Sequence, residues 1–355
     1  MNEYAPIPLR KRNHDCGLTF RAGFHTIKRT LFREGDARVV EMCLLGTGGT
    51  LPLKDRALSS LYVRVNGRAM LADCGEGTQV GIRRLGWGFR CLEGLVLTHF
   101  HGDHCTGLPG LLLSLEKAGR EEPFDIWGPA GLKRVVEGLC VIVPKLSFAV
   151  RLHEYPPEGR SFELIGLQIR AFPVDHGIPC YGYRMELERK GAFDPERARE
   201  LKVPLSEWKK LQAGESVRLG LRKIRPEEVL GPARKGITFV FSTDTRPCET
   251  LRKYTAGADL ALLEGMYAEE EKHPLAVKNH HMMFREAAET AREAGANRLI
   301  LTHFSTSLED PEAGLPAARE VFPEACAGRD GMLIRLSYPK DREPAGLEIR
   351  QKEDW

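Results

Sequence analysis

Thr98-His99-Phe100-His101-Gly102-Asp103-His104 places three imidazoles and one carboxylate within six residues. Imidazole nitrogens and carboxylate oxygens are the ligands that zinc and similar divalent ions take. The cluster follows the apolar run Leu95-Val96-Leu97, which reads as a buried strand, so it falls where a strand leaves the core. Side chains alternate faces along such an end, which turns His99 and His101 the same way. Asp103 and His104 then come back from the loop toward a second position. The spacing predicts two metal positions side by side. Buried without an ion, the four groups would need several further hydrogen-bond partners.

The same ligand types stand at other predicted strand ends. His176 follows the alternating stretch Phe162–Val174, Asp244 follows Ile237–Ser242, and His303 follows Arg298–Leu301. Asp244 has two carboxylate oxygens and is able to bridge two ions. Leu95-Val-Leu-Thr-His-Phe and Leu299-Ile-Leu-Thr-His-Phe have one form, a histidine at the carboxyl end of an apolar strand. Around these lie a strand over Val39–Leu45 that ends in Gly46-Thr-Gly-Gly, and a hairpin of Leu61–Val65 with Ala69–Asp73 around Asn66-Gly67. Helical spacing covers Leu108–Ala118, Gly131–Val143 and Phe284–Ala296. Alternating strands and helices predict an α/β fold. Two sheets packed face to face with helices outside, four layers in all, would bring the strand ends to one rim.

At 355 residues, 42% hydrophobic and 28% charged, the chain is able to bury a large core and is not of disordered composition. No apolar run reaches membrane-spanning length, and residues 1–15 carry Arg10-Lys-Arg rather than an apolar secretory core, so no membrane association is expected and a cytoplasmic location is. Nine cysteines without a CxxC pair fit reduced thiols. The net charge of +3 is unevenly spread. Residues 1–40 hold eight Lys/Arg against four Asp/Glu, and residues 184–235 hold fourteen against nine. Two basic segments on a near-neutral body suit a phosphate-rich partner. Between Lys190 and Lys235 the charge is dense, the helical stretches are short and apolar periodicity is weak, which reads as an inserted basic arm.

The run His99-x-His101-x-Asp103-His104 resembles the signature of the metallo-β-lactamase superfamily. Within it the chain is similar to the ribonuclease Z family, endonucleases that trim the 3′ trailer of precursor tRNA. Leu45-Gly-Thr-Gly-Gly, Asp73-Cys-Gly-Glu-Gly-Thr-Gln, Asp175-His-Gly-Ile-Pro-Cys-Tyr-Gly-Tyr-Arg, Phe241-Ser-Thr-Asp-Thr-Arg-Pro-Cys-Glu and Leu301-Thr-His-Phe-Ser carry the likeness, over about residues 42 to 310.

The resemblance implies an αββα sandwich over residues 38–355 behind an N-terminal extension, 1–37. It implies two Zn²⁺, with Mn²⁺ as the alternative. His99, His101 and His176 would hold the first ion. Asp103, His104 and His303 would hold the second, and Asp244 would bridge them. Asp103 is then also the general base. His281, 22 residues before the last metal histidine, would protonate the leaving oxygen with support from Glu264. Lys54 and Arg56 fall in the loop that senses the tRNA 3′ end. RNA, as precursor tRNA, is the implied substrate, and a homodimer the implied assembly. Departures are Thr243 for a glycine, Met283 for a threonine, Ala57 for an asparagine, and Ser305-Thr-Ser-Leu after the last ligand. They leave two other readings, a small-molecule phosphodiesterase and a metal-containing RNA-binding protein with little activity.

Overall fold

The computed structural model describes residues 39–339, 343–353 and 355. The expected extension 1–37 lies outside the described residues. The first strands in chain order are β1 (Val39–Gly46), β2 (Ser60–Val65), β3 (Arg68–Ala72), β4 (Leu92–Val96), β5 (Phe124–Gly128) and β6 (Val150–Glu154). Then come β7 (Ser161–Leu164), β8 (Leu167–Pro173), β9 (Tyr181–Arg189), β10 (Val217–Leu219), β11 (Arg222–Ile224) and β12 (Arg234–Ser242). The last are β13 (Leu260–Glu264), β14 (Leu299–Thr302), β15 (Cys326–Ala327), β16 (Met332–Ser337) and β17 (Gly346–Gln351).

The strands form an eight-stranded sheet, ordered β17-β16-β1-β2-β3-β4-β5-β6, and a seven-stranded sheet, ordered β15-β14-β13-β12-β9-β8-β7. One buried cluster draws on both. Val40, Met42, Leu61 and Val63 of the first sheet share it with Ile169, Met185, Phe239, Leu262 and Ile300 of the second. Alternate residues of the same strands, Val240, Ala261, Leu263, Leu299 and Leu301, meet Phe284, Ala287, Ala288 and Ala291 of the helix Phe284–Glu293. Strands covered on both faces are apolar along nearly their whole length, which is why Leu260–Leu263 of β13 and Leu299–Leu301 of β14 read as unbroken apolar runs. Helices Thr78–Leu85 and Leu108–Lys117 bury Ile82, Leu85, Leu108, Leu111, Leu112 and Leu115. The architecture is the four-layer α/β sandwich expected from the sequence.

Local chemistry sets the turns. Asn66 (φ 51°) and Gly67 (φ 80°) close the β2–β3 hairpin as a two-residue turn with both φ values positive. The two echoed segments separate: β4 belongs to one sheet and β14 to the other, so each sheet delivers a histidine to the common rim.

The arm spans the gap between Arg189 and Arg234, which are paired across β9 and β12. It is more ordered than weak periodicity predicts. Helices Pro195–Glu200 and Trp208–Gln212 and the β10–β11 hairpin enclose a small core of Ala198, Val203, Leu211, Val217, Ile224 and Val229. Also unexpected are the edge strand β6, the strands β15–β17 and the helix Pro311–Arg319. The eight cysteines among the described residues are all free.

Candidate metal centre

The rim gathers side chains from strand ends far apart in sequence. Beyond β4, His99 Nε2 lies 3.0 Å from His101 Nδ1, and His176 Nε2, beyond β8, lies 3.2 Å from the same atom. Beyond β14, His303 Nε2 lies 3.1 Å from His104 Nε2, and Asp103 Oδ2 is 3.5 Å from each. Asp244, beyond β12, stands between the two sets. Its Oδ1 is 3.8 Å from His99 Nε2 and 3.9 Å from His176 Nε2; its Oδ2 is 3.1 Å from His104 Nε2 and 3.3 Å from His303 Nε2. Ligand atoms of His99, His101, His176 and Asp244 all fall within 4.8 Å of one another, as do those of Asp103, His104 and His303. The sequence-predicted ligands are thus brought together as two donor sets that meet at one carboxylate.

Outer partners orient the rings. His104 Nδ1–H donates to Asp73 Oδ2 at 2.7 Å, which leaves Nε2 to face the rim. Asp73 also accepts from the Thr98 N–H at 2.9 Å and the Thr98 hydroxyl at 3.0 Å. His176 Nδ1–H donates to the His280 carbonyl at 3.3 Å. Such partners fix tautomer and ring plane in metal sites. Five non-glycine residues here adopt positive φ: Thr50, Asp73, Asp244, His280 and His303. Strained backbone of this kind persists only where surrounding contacts enforce it. At Gly49 an added Cβ would stand 2.7 Å from the His303 ring, so only glycine lets this backbone pass.

The field is that of buried carboxylates. Burial opposes charge on His104 and His303, yet Asp244, with Asp73 for the first ring and Asp103 for the second, raises both, His303 to about 10. Burial and the neighbouring His104 hold His99 well down, and burial lowers His176. Asp103 and Asp244 stay low despite burial because His104 and His303 face them. Asp244 Oδ2 and His303 Nδ1 are buried with no hydrogen bond. Opposed ring nitrogens, a carboxylate with an unmet oxygen and a donor set of nitrogen and oxygen alone fit a pair of divalent cations.

His281 Nδ1–H donates to Glu264 Oε2 at 3.0 Å, and Nδ1 stands 3.8 Å from Asp244 Oδ1. Burial lowers this ring, but the Glu264 and Asp244 carboxylates outweigh it and the pKa is raised. Arg246 holds the His281 carbonyl and is itself held by Glu286, which also accepts from the Met283 N–H at 2.9 Å. A cavity of about 360 Å³ opens above, lined by Asp103, Asp244, His281 and His303 and by Thr50, Leu51, Pro52 and Glu76.

Lys54 is exposed in the turn between Leu53 and Arg56. Arg56 differs from expectation. The residue is 9% exposed, and its guanidinium donates to the Ser305 carbonyl at 3.2 Å and the Glu309 carbonyl at 3.0 Å and lies over the Phe304 ring. In this structure it ties the loop to residues 304–309. Sequence reasoning also passed over Asp73 as a ring-orienting partner. The available signal was its place at the end of β3, whose parallel neighbour β4 leads into the histidines.

Facing sheets whose strand ends carry two donor sets around a shared aspartate define a domain of the β-lactamase superfamily, and the family profile described as a beta-lactamase superfamily domain matches residues 68–193 and 199–304. Ribonuclease Z of Lachnoclostridium phytofermentans is 44% identical over 303 residues, 85% of this chain and 100% of that one. Ribonuclease Z of Clostridium acetobutylicum is 43% identical over 306 residues, 84% and 99% of the two chains. The chain belongs to the ribonuclease Z family. Among solved structures, the short form of human tRNase Z has a TM-score of 0.59 at 24% identity, covering 84% of this chain and 100% of that one. The metallo-beta-lactamase fold protein YhfI of Bacillus subtilis has 0.61 at 18%, covering 84% and 99%. Both share the fold. Among the described residues no helix is long and apolar enough to cross a membrane.

Proposed function

We infer that this chain hydrolyses the phosphodiester that joins the 3′ trailer to precursor tRNA, using two zinc ions. The observation that carries the reading is Asp244, whose two oxygens face two separate imidazole sets at the floor of an open cavity. His99, His101 and His176 would hold one ion, Asp103, His104 and His303 the other, and Asp244 both. The ions would supply Lewis-acid charge to the phosphate oxygens and a hydrolytic nucleophile at neutral pH.

The chain's own residues do the rest. Asp103 lies at the cavity floor, fixed from one side by the Thr50 N–H at 2.6 Å, and serves as the general base. His281 keeps Nδ1–H on Glu264, so its other nitrogen is the one free to carry a proton to the departing 3′ oxygen. Glu264 is wholly buried and stabilises the imidazolium. The basic arm grips RNA away from the scissile bond, and Lys54 meets a phosphate near the cavity mouth. In a cytoplasmic homodimer the arm of one subunit would serve the other's cavity.

Precursor tRNA and bis(p-nitrophenyl) phosphate, each with and without a chelator, test this reading. Trailer release and ester hydrolysis, both abolished by chelation and restored by Zn²⁺, are expected. Hydrolysis of the small ester alone would replace the reading with a small-molecule phosphodiesterase. Cleavage of neither, with RNA retained on a filter, would leave a binding protein.

A further inference from the structure

One carboxylate outside the rim fastens a loop that reaches into it. Asp330 lies on the connection from β15 of the second sheet to β16 of the first. Its Oδ1 accepts from the Thr47 N–H at 2.9 Å and the Thr47 hydroxyl at 2.8 Å; its Oδ2 accepts from the Ala57 N–H at 2.6 Å. Thr47 and Ala57 are the two stems of the β1–β2 loop. The Asp330 carbonyl is held in turn by Gln351 Nε2–H at 2.7 Å, and the Gly331 N–H donates to Leu44 at 2.7 Å. The carboxylate is anchored before it anchors anything else.

Between those stems the loop lies against the His303 strand end. The Gly49 N–H donates to the Phe304 carbonyl at 3.0 Å, and the Phe304 N–H to the Thr47 carbonyl at 2.8 Å. Arg56 adds its two carbonyl contacts and its place over Phe304. At the tip, the Thr50 N–H donates to Asp103 Oδ2 at 2.6 Å, from a backbone at φ 71°. A β-branched residue reaches that conformation only under constraint. A carboxylate rotates freely about its last bond unless a donor selects one orientation, and Thr50 is such a donor for Asp103.

We propose that Asp330 is a positioning residue for hydrolysis: by pinning both stems of the loop Thr47–Ala57 it holds Thr50 in its left-handed conformation and so aims the Asp103 carboxylate. This deepens the proposed function and rests on the role given there to Asp103. Asparagine at position 330 is the matched probe. It keeps the shape but presents an amide N–H₂ to one of the stems, where a donor would meet a donor, so one stem is released.

The experiment compares the wild type with D330N, T50G and D330N/T50G, loaded with Zn²⁺ and assayed on bis(p-nitrophenyl) phosphate and on precursor tRNA. Rates are normalised to folded, metal-loaded protein. In D330N kcat is expected to fall about 10- to 100-fold on both substrates, with KM within about threefold, because a misplaced group costs turnover rather than binding. Glycine adopts positive φ at no steric cost. The loss caused by D330N is therefore expected to shrink at least about threefold in the T50G background, a rescue that a purely structural role for Asp330 does not produce. Unchanged kcat in D330N, or an undiminished loss in the double variant, overturns the proposal. Should D330N fail to accumulate, T47V carries the same test: it removes one of the three bonds to the carboxylate, kcat is expected to fall about threefold, and an unchanged kcat overturns the proposal. The small ester separates this outcome from failure of the RNA reading. If trailer release is absent but ester hydrolysis follows the pattern above, the clamp stands and the tRNA assignment falls.

Discussion

Rim and arm hold their ionisable side chains in opposite ways. In the rim, His99, His104, Asp244, Glu264 and His303 are buried, and each stands within 4 Å of another charged or ring group. In the arm, the pairs Arg197–Glu200, Lys210–Glu207 and Arg222–Glu228 lie at the surface, where such pairs add little. The rim draws on connections after β3, β4, β8, β12 and β14, whereas the arm enters and leaves through the single β9–β12 pair and carries its own apolar core. A position over-determined from five directions suits bond-breaking. A self-contained unit on one pair of stems suits recognition.

Breaking the rim at Asp244 is expected to have the largest effect. D244A should lose bound metal, by elemental analysis, and lose turnover of precursor tRNA and small ester alike, beyond the roughly 100-fold cost of removing an outer partner of a metal ligand. H281A comes next. Trailer release should slow about 10²- to 10⁴-fold with metal retained. The small ester should slow less, since p-nitrophenolate departs without a proton. Metal loss in H281A would move that ring into the ligand set. Excising residues 190–233 and joining Arg189 to Arg234 through Asn-Gly, the two-residue turn suited to an antiparallel pair, tests the arm. Efficiency on precursor tRNA should fall about tenfold or more as phosphate contacts go, with ester hydrolysis within about twofold. Equal loss on both substrates would mean that rim and arm are one unit.

The last test reads stability rather than turnover. Burial pushes the Asp330 carboxyl up to about 6, with the donors from Ala57 and Thr47 pulling the other way. A carboxyl raised above its unfolded value of about 4 contributes stability that is complete below that value and lost as pH rises through its folded one. The Asp330 contribution should therefore fall by about 2 kcal/mol between pH 4 and 6, read by denaturant titration as the difference between wild type and D330N. D330N should lack that slope.

How much of this was legible in the sequence differs between the same two regions. The His99–His104 run, the echo at Leu299–Phe304 and the Asn66-Gly67 turn are local patterns legible in the sequence; the four-layer fold and the division of donors into two sets came with the family resemblance that those patterns carry. Asp73 and Asp330 were not legible as partners, because an aspartate after a strand or in a turn looks the same whether it caps, solvates or clamps. The burial of Arg56 was hidden for the converse reason: a cation in a polar loop reads as exposed, and only the return of residues 304–309 covers it. The strand β6 alternates Val150, Leu152 and charged residues at a sheet edge, a short pattern that loops also show. The arm's core is six residues scattered between positions 198 and 229, too sparse for periodicity to register.

The sandwich delivers one donor group from each leaf. His99, His101, Asp103 and His104 hang from the first sheet, and His176, Asp244 and His303 from the second. No leaf alone completes either donor set, so an ion that binds only when the leaves are apposed adds its binding free energy to their closure. Chelation should then loosen the molecule along this seam first, with hydrogen exchange rising at β4 and β14 ahead of the far edges.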